Sequence, residues 1–189
     1  MTNFDIYQLT LIVLSIFCSA LFLYISLVFL RIYMRIRVEY LALFSASFMS
    51  LTLSQVASAF SNIVTEPRLS LTLFTLSSSL ASSGFLIMLF SILYGSREKI
   101  IASLPPTLLL NASPDLLAFL LSLTVAVLTR GKYLKRYLLI LSATYLVRGL
   151  SSLLIPLGIG VYLLVISEFF KTIATLIFAT YHLSKVTTL

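Results

Sequence analysis

A succession of long apolar runs separated by short charged breaks is the feature that most constrains this chain. Runs at 6–30, 38–64 and 69–94 each exceed the roughly 20 residues that a helix needs to cross a hydrocarbon core. Further runs follow at 114–129, 133–155 and 159–183, with a shorter piece at 100–112 that Pro105 and Pro106 interrupt. With 60% hydrophobic and 10% charged residues, the chain lacks the polar surface of a soluble globular protein of its size. Lipid offers no partners for backbone polar groups, so the runs are expected as helices. The expected fold is an all-α polytopic bundle, residues 1–189 forming one transmembrane domain in the cell membrane.

The formal net charge of +7 does not point to nucleic acid, because the basic residues sit beside the apolar runs. Arg31, Arg35 and Arg37 close the first run, and Arg130, Lys132, Lys135 and Arg136 stand between the fifth and sixth. They read as stop-transfer clusters with a secondary role toward anionic lipid headgroups. The same charges decide whether 100–112 crosses. If it does not, loop and tail Lys/Arg residues split five against six between the two sides; if it does, ten lie on one side and Arg68 alone on the other. The second distribution obeys the positive-inside bias. It predicts seven helices with the N-terminus outside and the C-terminus cytoplasmic. No Lys or Arg precedes the first run, which therefore reads as a retained span and not a signal peptide. Arg31 and Arg37 match Arg130 and Arg136 in spacing, and Tyr94 matches Tyr181. These echoes suggest two three-helix halves joined by a short, proline-broken fourth helix.

Small polar residues mark helix contacts. Ser47, Ser50, Ser54 and Ser58 fall at helical spacing in the second run, and a patch from Ser77 to Gly84, with Ser78 and Ser82, occupies the third. Small side chains let helices approach closely in lipid. Serine hydroxyls can bond to their own helix carbonyls, so a packing seam is expected here in preference to a wet conduit.

Chemistry concentrates in the last hairpin. Arg148, Glu168 and Lys171 lie inside apolar runs, where a charge needs a partner, a wet cavity or a function. Measured from the turn at 156–160, Arg148 and Glu168 stand at equal depth, roughly 10–13 Å at about 1.5 Å per residue. An intramembrane Arg148–Glu168 pair is expected, with Lys171 one turn deeper and one positive charge in excess. Tyr145 shares a face with Arg148, and Thr175 and His182 share one with Glu168 and Lys171. The other acidic residues, Asp5, Glu39, Glu66, Glu98 and Asp115, read as solvated at or near run ends. Cys18 is the single cysteine and His182 the single histidine, so no metal or haem site is expected within one chain. No phosphate-binding glycine loop or nucleophile elbow appears. Neither an enzyme nor a cofactor is expected.

Lys171, midway along the seventh of seven runs with the N-terminus outside, resembles the retinal-bearing lysine of microbial rhodopsins, which implies a chromophore. The sequence departs from that pattern in lacking tryptophan, in lacking an acidic counter-ion in the third run, and in placing Glu168 three residues before the lysine. The reading favoured by the residues is a non-catalytic subunit or scaffold of a larger membrane complex. Its partners would be the bilayer and other membrane chains or further copies of itself. The alternative is a small carrier or channel for a solute or ion that uses the Arg148–Glu168–Lys171 cluster. A seven-helix sensor is more remote, since only about six residues follow the last run.

Overall fold

The structure, a computed structural model, describes residues 6–95, 114–154 and 159–182. The fourth apolar run, 100–112, lies outside them, as do residues 155–158 of the last turn. Six helices are described: α1 (Ile6–Ile36), α2 (Glu39–Ile63), α3 (Pro67–Gly95), α4 (Pro114–Leu128), α5 (Lys132–Leu154) and α6 (Gly160–Ile177). A π-helical turn, Phe178–His182, continues α6. Four segments are long and apolar enough to cross a membrane: α1, α2, the Pro67–Leu93 part of α3, and Gly160–Tyr181. The chain has the build of a helical membrane protein.

The breaks follow from local chemistry. Arg37 adopts a left-handed φ of 54°, and its N–H reaches the Tyr33 carbonyl at 2.7 Å. That conformation ends α1 and frees the chain to begin α2 at Glu39. Val64 is extended after α2, and Pro67 opens α3, a position where its missing N–H costs nothing. Ser70 N–H closes the first turn onto the Glu66 carbonyl at 2.9 Å.

Each helix packs on its neighbours in sequence, and α6 returns to α1, so the six form a closed ring. Hydrogen bonds set the directions. Ser26 and Ser45 exchange hydroxyl-to-carbonyl bonds of 2.9 Å, running α2 against α1. Ser70 donates to the Ser61 carbonyl and Ser91 to the Tyr40 carbonyl, running α3 against α2. Contacts of Ser77 with Arg148 and of Phe85 with Tyr145 set α5 against α3. The short turn at 129–131 sets α5 against α4 as well. Thus α3 and α4 run the same way. Tyr7 packs edge-on to Tyr162, so α1 and α6 are also parallel. Arg31, Arg35, Arg37, Arg130, Lys132, Lys135 and Arg136 gather at one end of the ring, its basic end; Arg68 lies at the other.

The serine seam between α2 and α3 involves part of the expected set. Ser50 donates to the Leu80 carbonyl at 2.7 Å and meets Ser83 at 3.0 Å, and Ser54 meets Ser77 at 3.3 Å. Ser47 and Ser58 are buried in α2. Ser78 bonds back to Phe74, and Ser82 donates to the Pro114 carbonyl at 2.8 Å. Successive helical residues point about 100° apart, so Ser78 and Ser82 serve the α4 side while Ser77 and Ser83 serve α2. A side chain on Gly84 would stand 3.0 Å from the Ser47 carbonyl oxygen, which is backbone and cannot swing aside. One on Gly149 would meet the flexible tip of Leu116 at 3.1 Å, and one on Gly131 would meet only Leu134, at 4.0 Å. Alanine should therefore destabilise most at Gly84, by about 1–3 kcal/mol, less at Gly149, and scarcely at Gly131. Unfolding in mixed detergent micelles reads this order; equal losses at the three would show that α2 and α3 are not in close contact.

Candidate functional site

Helix α4 has 15 residues, about 22 Å at 1.5 Å per residue, against a hydrocarbon core of about 30 Å. Its C-terminus lies at the basic end, so Pro114, its first described residue, stands partway along the bundle. The Pro114 carbonyl there receives the Ser82 hydroxyl, about a turn and a half along α3 from Ser77. Asp115, in this first turn, is 3% exposed. The expectation from sequence that Asp115 is a solvated residue at a run end is therefore corrected. A carboxylate at a helix N-terminus is favoured by the backbone dipole, and here it faces the charged hairpin.

Arg148 is 1% exposed and uses its whole guanidinium. Nη1 donates to Glu168 Oε1 at 3.2 Å, Nη2 donates to the Ser77 hydroxyl at 3.1 Å, and Nε lies 3.3 Å from Asp115 Oδ1. The last contact is electrostatic, without hydrogen-bond alignment. The Phe74 ring lies 4.7 Å from the guanidinium carbon. Lys171 Nζ donates to Glu168 Oε1 at 2.6 Å and sits 2.5 Å from Oε2, with the Tyr145 ring 5.6 Å away. One arginine on α5 thus ties together α3, α4 and α6.

The structure brings together Arg148, Glu168, Lys171 and Tyr145, and it adds Asp115. Two carboxylates now face two cations. The single excess positive charge expected of the hairpin is cancelled, and Lys171 is not left over. Thr175 lies one turn beyond Lys171, donating to the Lys171 carbonyl at 2.7 Å and meeting the Tyr137 hydroxyl at 3.4 Å. Tyr137 also stacks on Phe178 of the π-helical turn, centroids 4.4 Å apart. The side chain of His182 lies outside the described residues.

Two buried polar residues that give no signal in the sequence stand at this level. Ser15 on α1 and Gln55 on α2 are both 0% exposed, and the Ser15 hydroxyl and both polar atoms of the Gln55 amide lack hydrogen-bond partners among the described residues. The Tyr145 hydroxyl is unpartnered too. Phe22 and Phe48 pack together across the α1–α2 contact, ring centroids 6.2 Å apart. Ser15 and Gln55 lie seven residues from them, two turns nearer the Arg68 end on the same helix faces. Cys18, one turn from Ser15, is set against Thr172 and Thr175 of α6, which places Ser15 near the Glu168 level.

A family model matches residues 10–99; its description is a family of unknown function, DUF5985. The match spans α1 to α3, just under half the chain, and contains Ser15, Gln55 and Ser77 but none of the four charged residues. No curated protein and no solved structure matches the chain.

Removing one member of a buried ion network strands its partners, at about 3–5 kcal/mol. Arg148→Met should cost that much. Asp115→Asn with Arg148→Met keeps the balance of charge and should be more stable than Arg148→Met alone. Chemical unfolding in micelles measures both; losses that simply add would dissolve the network into independent contacts.

Proposed function

We propose that this chain crosses the cell membrane seven times, N-terminus outside, and carries a small solute or ion through the centre of its helix ring. The observation behind this reading is the Asp115–Arg148–Glu168–Lys171 network, set midway along the bundle where α4 begins. Ionisable groups at such depth are costly and mark solute paths in membrane proteins. The seven-crossing part of the reading is supported by α3 and α4 running the same way. It is also supported by the basic clusters sharing one end. The halves α1–α3 and α4–α6 repeat the same sequence of directions, as expected of a parallel internal repeat.

A second reading, a non-catalytic subunit or scaffold of a membrane complex, draws on a different observation. The network is neutral and satisfies its charges within the chain, so it can act as a clamp with no cargo. Exposed side chains such as Leu23, Leu27, Phe169 and Phe170 offer apolar surface to lipid or to a partner chain. Purified protein in liposomes separates the two. Flux of a small solute or ion that Arg148→Met abolishes, while the replacement of Asp115 and Arg148 together leaves a folded but inactive protein, supports the carrier. Sealed liposomes, together with membrane chains that co-purify from native membranes, would support the scaffold.

A further inference from the structure

The interior of the ring has two storeys. Toward the basic end it is filled by Phe22, Phe48, Phe85, Met88, Leu138 and Leu141, all essentially inaccessible. Seven residues from Phe22, Phe48, Phe85 and Leu141 stand Ser15, Gln55, Ser78 and Arg148, so the change from bulky apolar to polar happens at one level on four helices. From that level toward the Arg68 end the buried side chains among the described residues are small, among them Ala57, Ser58, Ala59, Ser61 and Ser151, with Leu11 a large exception.

We infer that this level is a binding site for a small uncharged polar molecule that carries both hydrogen-bond donors and acceptors, entered from the Arg68 end. This deepens the carrier reading and rests on it. The Gln55 amide offers one carbonyl acceptor and two N–H donors, all unpartnered among the described residues, and the Ser15 and Tyr145 hydroxyls each offer both functions. Leaving such groups unpaired in a protein interior is expensive, so they mark where a polar guest or water belongs. The charge of the guest follows from the network beside it. Asp115, Arg148, Glu168 and Lys171 sum to zero, and Asp115 occupies the positive N-terminus of α4. An ion added there would bring unbalanced charge into the buried interior, which is costly. A neutral amide- or polyol-like solute avoids that cost. The bulky storey below closes the path to the basic end in this conformation.

Stopped-flow light scattering on proteoliposomes tests the assignment, with urea and glycerol gradients as probes and K⁺ and Cl⁻ efflux measured in parallel. The expected result is permeation of urea or glycerol without ion flux. Gln55→Leu should lower it about tenfold, the scale of one lost hydrogen bond to the passing solute, with an unchanged size-exclusion profile. If Gln55→Leu fails to fold, Ser15→Ala takes its place and should lower the flux in the same direction. Ion flux without urea or glycerol flux overturns the neutral-solute site and leaves the carrier reading standing. No flux of any kind overturns both. Wild-type rates in both folded variants also overturn the site.

Discussion

The Arg148 guanidinium is the interaction on which the bundle depends. It sits where a lone cation would be intolerable, and it is held by a carboxylate from α4, a carboxylate from α6 and a hydroxyl from α3. Helices in lipid gain little from hydrophobic burial against each other, since the tails are as apolar as leucine. Specific polar contacts therefore carry more of the burden of choosing which helices touch and at what height. Arginine suits this role because its charge is permanent and its donors diverge in one plane, so three helices can be addressed from a single side chain.

The rest of the packing is generic by comparison. Serine hydroxyls bond across or along their helices, and aromatic rings stack near the basic end, as in the Phe29 ring lying against Phe44 and Phe48. These contacts hold neighbouring helices close, two at a time. The charge network would not tolerate a shift of one turn, because a one-turn slide of α6 moves Glu168 by about 5.4 Å and breaks its contact with Arg148.

Much of this was legible in the residues. Run lengths and charge placement are enough for the six described helices and the common end of the basic clusters, and equal counting from the last turn puts Arg148 and Glu168 at one depth. Asp115 was misread because its place at the head of an apolar run looked interfacial. The corrective signal is the length of the run: 114–129 is the shortest of the apolar runs without an internal break, so its head lies less far from the basic end than the heads of the others. Ser15 and Gln55 gave no such signal, since a lone serine or glutamine in an apolar run is ordinary until the opposing helices are seen. The serine patches were legible as small-residue faces, but not which neighbour each serine would meet, because that depends on the order of helices around the ring.

The closure of the ring by α1 and α6 joins the first described helix to the last. Chains emerge from the ribosome in order, so Arg148 and Asp115 enter the bilayer before Glu168 and Lys171 exist. Until α6 arrives, the half-built bundle carries an arginine that only Asp115 can neutralise and an open flank along α1. The final helix therefore acts as a latch: its arrival supplies a balanced Glu168–Lys171 pair, completes the coordination of Arg148 and seals the flank in one step. A chain truncated before residue 168 keeps five of the six described helices and loses the contacts that lock them.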